Sequence, residues 1–544
     1  MPVVRAELTR LSRMVGADRK RVLDRLPYIG LDIESVDGDV VRVEYSPNRP
    51  DFGTDFGIAR ALRGLFGKEV GLPTYRTAPS GLTVTVDGRL SQVRPFIACA
   101  TVTGLALGDE DVRQIISLQE DLHNGLGRKR RVVAIGLHDL DAVKGPLRYS
   151  AQPPSFGFVP LDGERKATLA EILKKTEQGR LYGRALEGGE LLPIILDSRD
   201  TVLSFPPIIN GNATKVSSKT RNLFIDVTST DRRAGDDVLA ILATTLGEAG
   251  GRIDSVVIQY PDGARTTPDL AERKLRLDFE LIERSLGLGL TKNQVADCLG
   301  RSRLAVIGSQ VLAPRFRIDL LHPVDLAEEV ALGYGFDRIG PLYPASKQPG
   351  SFNALEEFLD RTSTIMAGAG MTELMTFELM DKSSLYDRFG RPSDSKIAVH
   401  DPRSQDHSIL RDSLLPPMMA ALSGNVKEDY PQRVFEIGRV YARTKGEVRE
   451  SWSLGCLIAH SQTSFTEAKM YLAAALRTLT GIDPLTAPQE HWAFAEGRSA
   501  SVSGRGTRLG SVGELKPEAL AAFGLNVPAA GFESDLSVLF KLLK

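Results

Sequence analysis

Hydrophobic positions along this chain switch between a period near 3.6 residues, typical of helices, and a period of two, typical of strands. Helical spacing covers residues 8–15, 19–26, 55–66, 112–126, 236–247, 278–286, 291–299, 353–369 and 467–480. Strand-like alternation or short apolar runs cover residues 40–45, 97–103, 132–136, 224–230, 253–260, 434–442 and 453–459. This mixture predicts an α+β fold with several domains.

Clusters of Pro, Gly, Ser and Thr interrupt the pattern at residues 73–81, 261–268 and 341–350, and we interpret these as linkers. The intervening segments predict an N-terminal α/β domain over residues 1–80, a large domain over 90–265, a small αβ module over 269–340 and a C-terminal domain over 351–544. In the last segment, helices flanking an antiparallel sheet are the simplest interpretation. A length of 544 residues fits about three to four domains.

The composition, with 42% hydrophobic and 25% charged residues, predicts an ordinary soluble protein. A net charge of −1 excludes a global basic field, so any contact with nucleic acid must come from local patches. The three cysteines have no CxxC spacing, which argues against a zinc site or a disulfide framework and fits a reducing compartment. Neither a signal-peptide pattern nor an apolar run of membrane-spanning length is present, so we expect a cytoplasmic protein.

Four carboxylates lie close together where a strand-like segment gives way to a helical one. Asp319 ends the first, and Asp325, Glu328 and Glu329 follow at i, i+3, i+4 spacing, which favours one helix face. Four hard oxygen donors are what Mg²⁺ accepts, usually with waters. The alternative is that these acids only complement the helix dipole and are solvated.

A second candidate site lies in the large domain. The strand predicted over residues 224–230 places Asp226 and Thr228 on one face, and the loop from Ser204 to Gly211 carries two prolines that stiffen it. These polar groups are suited to hold a phenol hydroxyl or a water, although a solvated strand face is the alternative. Because no GxSxG sequence is present, Ser204 is a weak candidate for a covalent nucleophile, and a positioned water is favoured.

Two further groups of residues are candidates for binding or catalysis. The basic run Arg128, Lys129, Arg130 and Arg131 either contacts phosphates or is merely solvated. His138, at the end of a strand, is a candidate base next to Asp139, but a lone histidine in such a place more often has a structural role.

Several segments, in the expected order, resemble the beta subunit of phenylalanyl-tRNA synthetase in its archaeal and eukaryotic form. The four carboxylates match the spacing of the family's magnesium-linked module, and residues 46–51 match its Asn-Pro-Asn-Arg-Pro-Asp motif with Ser46 in place of Asn. Further likeness covers residues 122–141, 203–210, 410–418, 435–439 and 513–518. Lys516 stands where the family pattern leads us to expect His.

The resemblance implies a fold and a function for each segment. Residues 90–265 would form an editing domain that binds tRNA, residues 269–340 a winged-helix-like magnesium module, and residues 351–544 a class II synthetase-like domain without catalytic residues that contacts the alpha subunit. The whole would be one half of a phenylalanine–tRNA ligase, an α2β2 tetramer that uses ATP, bound mainly by alpha, to charge phenylalanine tRNA.

Editing is the reaction that the resemblance assigns to this chain itself, as hydrolysis of mischarged tyrosyl-tRNA. A hydrophobic pocket rejects an added hydroxyl only by something like 10²-fold, so a second, hydrolytic site is the physical remedy. The expected sites are catalytic Ser204, Asp226 and Thr228, tRNA-binding Arg128, Lys129, Arg130 and Arg131, and magnesium ligands Asp319, Asp325, Glu328 and Glu329. Two alternatives stay open, namely a scaffold whose editing site has decayed and a hydrolase that works without an alpha partner.

Overall fold

We describe the protein from a computed structural model that covers residues 2–186, 190–217, 219–345, 349–444 and 446–543. Its contacts divide the chain into two compact units, Met1–Tyr343 and Pro344–Lys544. Helices and several separate sheets occur in both units, which confirms the predicted α+β multidomain fold. The four domain boundaries stay predictions. Within the covered residues, no helix is both long and apolar enough to cross a bilayer.

The first unit begins with a three-stranded antiparallel sheet in the order β1-β3-β2, packed against three helices. Its elements are β1 (Val3–Glu7), α1 (Leu8–Val15), α2 (Arg19–Arg25), β2 (Leu31–Asp37), β3 (Val40–Tyr45) and α3 (Asp55–Leu65). Alternate residues of β1 and β3 are buried against the helices, as the period of two predicts. Thr54 caps α3 by accepting a hydrogen bond from the Gly57 N–H.

A ten-stranded mixed sheet forms the centre of the first unit, in the order β12-β11-β10-β7-β4-β14-β5-β13-β6 with β15 paired to β14. The elements of this part of the chain are β4 (Ala78–Val86), β5 (Phe96–Thr103), α4 (Asp109–Asn124), β6 (Val133–Asp139), β7 (Leu147–Gln152), β8 (Gly157–Phe158), β9 (Ala167–Thr168), α5 (Leu169–Lys175), α6 (Glu177–Tyr182), β10 (Leu192–Leu196), β11 (Val202–Phe205), β12 (Ile209–Asn210), β13 (Leu223–Ser229), α7 (Arg232–Glu248), β14 (Arg252–Tyr260) and β15 (Gly263–Thr267). Strands β8 and β9 form a separate two-stranded sheet. Helices α4 and α7 contribute to the apolar core beside β5, β6 and β13.

Two of the predicted linkers are partly strands. Residues 78–81 belong to β4, which pairs in parallel with both β14 and β7, and residues 263–267 form β15. Pro79 and Gly81 argue against a strand in the sequence, because proline cannot donate to a ladder and glycine weakens one. The sheet accommodates them with a register shift opposite, between Ser255 and Val257.

A small module ends the first unit, with a three-stranded sheet in the order β16-β18-β17 and three helices around one apolar core. Its elements are β16 (Arg273–Arg276), α8 (Phe279–Leu286), α9 (Lys292–Arg301), β17 (Ala305–Ile307), β18 (Gln310–Ala313) and α10 (Pro323–Tyr334). Three of the predicted acidic residues lie on α10, and Asp319 lies in the segment before it.

The second unit is built on a seven-stranded sheet in the order β19-β23-β24-β28-β27-β26-β25, antiparallel except for β19 with β23. Its elements are α11 (Ala354–Gly368), β19 (Thr372–Glu373), β20 (Leu379–Met380), α12 (Lys382–Leu385), β21 (Ile397–Ala398), β22 (Ile409–Leu410), α13 (Leu415–Gly424), β23 (Gln432–Thr444), β24 (Glu447–Ala459), α14 (Phe465–Thr480), β25 (Leu485–Pro488), β26 (Phe494–Gly504), β27 (Thr507–Leu515), α15 (Pro517–Ala522), β28 (Ala529–Asp535) and α16 (Leu536–Leu543). Alternating residues of β24 enter two separate apolar cores, so both faces of the sheet are covered. The predicted linker over residues 341–350 includes residues 346–348, which lie outside the described residues.

Candidate functional site

Asp226 lies at the middle of β13, a strand that β5 and β6 flank on its two sides. Every residue of β13 is buried, so its polar face is enclosed rather than half-exposed. Across the ladder, Asp226 pairs with Gly136 of β6. A Cβ atom at Gly136 would lie 2.0 Å from Oδ2 of Asp226 and 2.6 Å from Nε2 of His138. The glycine therefore provides the space in which the two side chains meet.

His138 holds the Asp226 carboxylate. Its Nε2 lies 2.7 Å from Oδ2 of Asp226, and its Nδ1 lies 2.8 Å from Oγ1 of Thr214. Because a carboxylate accepts hydrogen bonds, Nε2 carries the proton, and Nδ1 of a neutral imidazole accepts from the Thr214 hydroxyl. Both side chains of the pair are almost fully buried. The sequence favoured a structural role for His138, and the structure joins it to the predicted site.

A cavity of about 250 Å³ opens beside this pair, and Ser204 of β11 is part of its wall. Ser204 is only 2% exposed, and within the described residues its Oγ has no hydrogen-bond partner. Leaving a buried hydroxyl unpaired costs about 1–3 kcal/mol, so such a group favours a ligand that bonds to it. Asp226 and the Pro206–Pro207 loop line the same cavity, as the sequence predicted for this region.

Thr228 has a different place from the one we expected. Within the described residues it is not part of the cavity wall, because its hydroxyl accepts from Nε of Arg94 at 2.8 Å. Its carbonyl accepts from Nη2 of the same guanidinium at 2.7 Å. Arg94 is fully buried, and burial lowers its pKa to about 10. Thr228 thus positions a buried cation, and local sequence patterns do not reveal this partner because 134 residues separate the two.

The basic run at residues 128–131 divides into two parts. Arg128, Lys129 and Arg131 are exposed, whereas Arg130 is half-buried in the cavity wall. Arg130 donates to Glu120 at 2.7 Å and stacks over the ring of Tyr182 at 4.4 Å. Arg128, Lys129 and Arg130 all have left-handed backbone, with φ of 47°, 57° and 63°, which is unusual for three consecutive non-glycine residues.

Arg94 supports this strained turn from beneath. Its Nη1 donates to the carbonyls of Arg130 and Arg131 at 3.4 and 3.3 Å. A second buried group, His123, accepts the N–H of Ile135 at Nε2, 2.9 Å away, and burial lowers its pKa. These contacts hold Arg130 at the cavity. The strained left-handed backbone of this turn therefore lies beside a candidate site.

The four carboxylates of the small module do not converge. Arg317, almost fully buried, binds Asp319 at 2.7 Å and also pairs with Glu329. The carboxylate of Asp325 turns back to accept the N–H groups of Leu321 and His322, each at 2.7 Å. No cluster of three His, Cys, Asp or Glu residues suited to a metal occurs in the described part of the chain. The magnesium-ligand set therefore stays a prediction, and in this structure the Arg317 guanidinium pairs with two of its four carboxylates.

Burial separates these acids further. Glu328 is exposed and Glu329 is buried, although both lie on α10. Burial favours the protonated form of Asp319, but Arg317 and Arg49 hold the pKa of its carboxyl below its ordinary value. Their spacing brought Asp325, Glu328 and Glu329 to one side of the helix, but packing against Arg317 decided which carboxylate faces inward.

The motif at residues 46–51 belongs to the same charge network. Asp51 is buried and accepts from Arg49 at 2.9 Å and from Arg60 at 3.1 Å. Burial alone would raise the pKa of Asp51, but the two guanidinium groups lower it to about 2. The Arg60 guanidinium stacks over Phe316, 3.7 Å from the ring centre. The motif therefore joins the N-terminal helices to the segment that precedes α10.

Family models match three parts of the chain. The model of the B3/4 domain matches residues 111–236, which include the cavity. The model of the tRNA synthetase B5 domain matches residues 275–336, and that of the phenylalanyl tRNA synthetase beta chain CLM domain matches residues 339–536.

Curated relatives match along the whole chain. The phenylalanine–tRNA ligase beta subunit of Archaeoglobus fulgidus is 40% identical over 547 residues, 99% of each chain. That of Methanococcoides burtonii is 37% identical over 548 residues, 99% of this chain and 100% of the other. A solved N-terminal fragment of the phenylalanyl-tRNA synthetase beta subunit from Pyrococcus horikoshii is 34% identical with a TM-score of 0.59, and covers 61% of this chain and 99% of the fragment. This chain belongs to the family of phenylalanine–tRNA ligase beta subunits.

Proposed function

We propose that this chain charges phenylalanine tRNA together with an alpha subunit and hydrolyses mischarged tyrosyl-tRNA in the cavity at Asp226. The observation that carries the hydrolytic part is the pairing, in one cavity, of a carboxylate fixed by His138 and the buried hydroxyl of Ser204, for which the described residues provide no hydrogen-bond partner. A site with unpaired polar groups discriminates strongly in favour of a substrate hydroxyl, by about 10⁴–10⁵-fold in favourable cases. The phenol of tyrosine supplies such a hydroxyl and phenylalanine does not.

The roles of the residues follow from their positions. Asp226 accepts the phenol hydroxyl or the substrate ammonium, and His138 keeps its carboxylate turned toward the cavity. Ser204 orients a water that attacks the ester carbonyl carbon; the bond to the ribose oxygen breaks, and that oxygen takes up a proton. Polarisation of the water by the tRNA's own terminal hydroxyl fits the lack of a GxSxG turn. Thr228 acts indirectly, through Arg94.

Contact with tRNA is the proposed role of the exposed part of the basic run. Arg128, Lys129 and Arg131 are free to meet phosphates, while Arg130 reaches the cavity wall. Each phosphate contact contributes a counterion-release term, so binding should weaken as salt rises.

Magnesium does not fit the module as this chain alone presents it. Two of the four expected ligands are neutralised by Arg317, and Asp325 is engaged in capping. The exposed Glu328 leaves one carboxylate open to solvent. A titration with Mg²⁺, followed by a chelator, tests whether this module binds the ion once an alpha subunit is present.

We propose that the second unit contacts the alpha subunit in an α2β2 assembly, with ATP bound mainly by alpha. Met375 and Phe377 support this proposal, because their large apolar side chains are 98% and 76% exposed beside the sheet of that unit. The three free, buried cysteines agree with a reducing compartment, which supports placing the assembly in the cytoplasm.

One set of assays separates this proposal from its two alternatives. The chain is purified alone and with its alpha partner, and phenylalanylation and tyrosyl-tRNA hydrolysis are measured in both samples. We expect charging only with alpha, and hydrolysis that falls in the Asp226→Ala variant. Charging without hydrolysis would favour the decayed scaffold, hydrolysis without any effect of alpha on charging would favour the separate hydrolase, and retained hydrolysis in Asp226→Ala would remove Asp226 from the site.

A further inference from the structure

A second cavity lies next to the one that contains Asp226. It has a volume of about 280 Å³ and runs between α4 and the segment of residues 210–216. Its walls are mostly aliphatic, with Val112, Ile115, Leu137, Val216 and Leu223 among them. The two cavities are neighbours, because Ile116, Gln119, Leu161 and Asn210 line both. The first cavity has charged side chains in its wall, Glu120, Arg130 and Asp226, and is more polar than the second, so the two differ in the chemistry that they offer a ligand.

The boundary between the cavities is built from amide side chains that the sheet holds in place. Gln119 donates to the carbonyl of Ile135 at 2.9 Å, and Asn210 donates to the carbonyl of Leu137 at 3.4 Å. Thr214 lines the second cavity and bonds to His138, which in turn bonds to Asp226 in the first. One hydrogen-bonded chain therefore joins the two walls. Ile116 is 52% exposed at the shared edge, a large apolar side chain that a ligand would cover.

We propose that the second cavity receives the terminal adenine of the tRNA while the first holds the tyrosyl group. This inference rests on the proposed hydrolysis of tyrosyl-tRNA. An aminoacyl ester is attached to the ribose of the last nucleotide, so a cavity for the amino acid needs a neighbouring space for the base. Enzymes that hold a single base enclose it between aromatic or apolar side chains, and asparagine and glutamine are suited to the hydrogen-bonding edge of adenine.

Size and charge agree with this occupant. Each cavity alone is smaller than the about 300–1,000 Å³ of typical small-molecule sites, whereas the two together fall within that range. Lys215 lies at the wall of the second cavity, where its ammonium is 2.5 Å from Asp162. Both side chains are more than half exposed, so the ammonium is able to turn toward the phosphate that precedes the terminal nucleoside.

The test uses a stable amide analogue of tyrosyl-adenosine and a second analogue in which the ribose carries no base. Binding of both to the full-length chain is measured by calorimetry. We expect the base to strengthen binding by about 10-fold or more, since the aliphatic walls would remove its faces from water. The variants Val112→Phe and Val216→Phe each fill the second cavity from a different wall, and both should reduce the gain from the base to less than 3-fold while leaving the base-free analogue unaffected.

Val36→Phe is the matched control, because Val36 is half-exposed on β2 of the N-terminal sheet. This variant should retain the full gain in affinity from the base. A base that adds less than 2-fold in the unmodified chain, or a full gain in both filled variants, would overturn the inference. If the unmodified chain still hydrolyses tyrosyl-tRNA in that case, only the adenine assignment fails. If it neither hydrolyses tyrosyl-tRNA nor binds the base-free analogue, the proposed function fails with it.

Discussion

Glu329 and Asp226 are both buried carboxylates, but they have different partners. Glu329 pairs with the guanidinium of Arg317, which also holds Asp319, so its charge is balanced within the fold. Asp226 meets the imidazole of His138 and faces a cavity that also contains the Ser204 hydroxyl, which has no partner among the described residues. A buried acid paired with a guanidinium has its charge balanced within the fold, whereas one held by a histidine beside empty space keeps the capacity to bind a ligand.

The largest expected effect tests the first half of this comparison. Arg317→Met leaves Asp319 and Glu329 buried without their cation, and breaking a buried pair in this way costs about 3–5 kcal/mol. The loss in free energy of unfolding is measured by urea unfolding of the first unit, followed by far-ultraviolet circular dichroism. Arg42→Met is the matched control, because its pair with Glu34 is about half exposed on both sides and contributes roughly 0.2–1 kcal/mol. Equal losses in the two variants would contradict the structural role of Arg317.

Asp226→Asn tests the second half. The amide keeps the size of the side chain but loses the charge and adds a donor that His138 cannot accept in its present tautomer. We expect tyrosyl-tRNA hydrolysis to fall by about 10²-fold, the lower end of what a positioned side chain contributes, with phenylalanylation by the assembled enzyme retained. Asp254→Asn is the control, a buried aspartate on β14 that pairs with Arg252. A similar fall in the control would show that the loss reflects folding.

The two nitrogens of His138 are separable by substitution. Glutamine places an N–H near the position of Nε2 and keeps the bond to Asp226, whereas asparagine replaces Nδ1 and keeps only the contact with Thr214. A hydrogen bond to a charged group contributes about 1.5–3 kcal/mol, so His138→Asn should lower kcat/KM for hydrolysis by about 10-fold or more. His138→Gln should recover most of that loss. Equal activity of the two variants would mean that His138 only fills space.

The smallest expected effects concern the exposed end of α10. Glu328→Gln should change stability by no more than about 0.5 kcal/mol, because the side chain is in solvent. Asp325→Ala should cost about 1 kcal/mol, since it removes the acceptor for two N–H groups at the start of the helix. Thermal unfolding with and without Mg²⁺ measures both. A stabilisation by Mg²⁺ that each variant abolishes would show that the carboxylates rearrange around an ion. The carboxylates of the small module would then be available to a ligand, as Asp226 is.

Periodicity was sufficient to predict the helices and strands that local sequence specifies. It was insufficient for a strand whose structure depends on pairing with distant strands. The helices predicted over residues 353–369 and 467–480 agree closely with α11 and α14, because one apolar stripe and a capping residue define each. β4 was missed, since its Pro and Gly argue for a linker and its partners β7 and β14 are distant along the chain. The domain boundaries within the first unit remain untested predictions.

For the candidate site, the sequence selected the region but not the arrangement. Asp226 was identified from the alternation of a predicted strand and Ser204 from a neighbouring segment with family likeness, and both line the cavity. Thr228 shares the strand face of Asp226 by alternation, yet its hydroxyl is engaged by Arg94. Alternation along β6 does put Gly136 and His138 on one face. This pattern points to Asp226 only when the register between β6 and β13 is known.

Composition, periodicity and the order of motifs determined the family and the α+β organisation, because these depend on local preferences and on patterns that persist along the chain. Which carboxylates are neutralised and which remain available was decided only in the tertiary structure. Arg317 lies within a few residues of Asp319 but reaches Glu329 through packing, and His138 meets Asp226 from 88 positions away. The partners of a side chain are the groups that lie close to it in the folded structure. Separation along the sequence does not give that proximity.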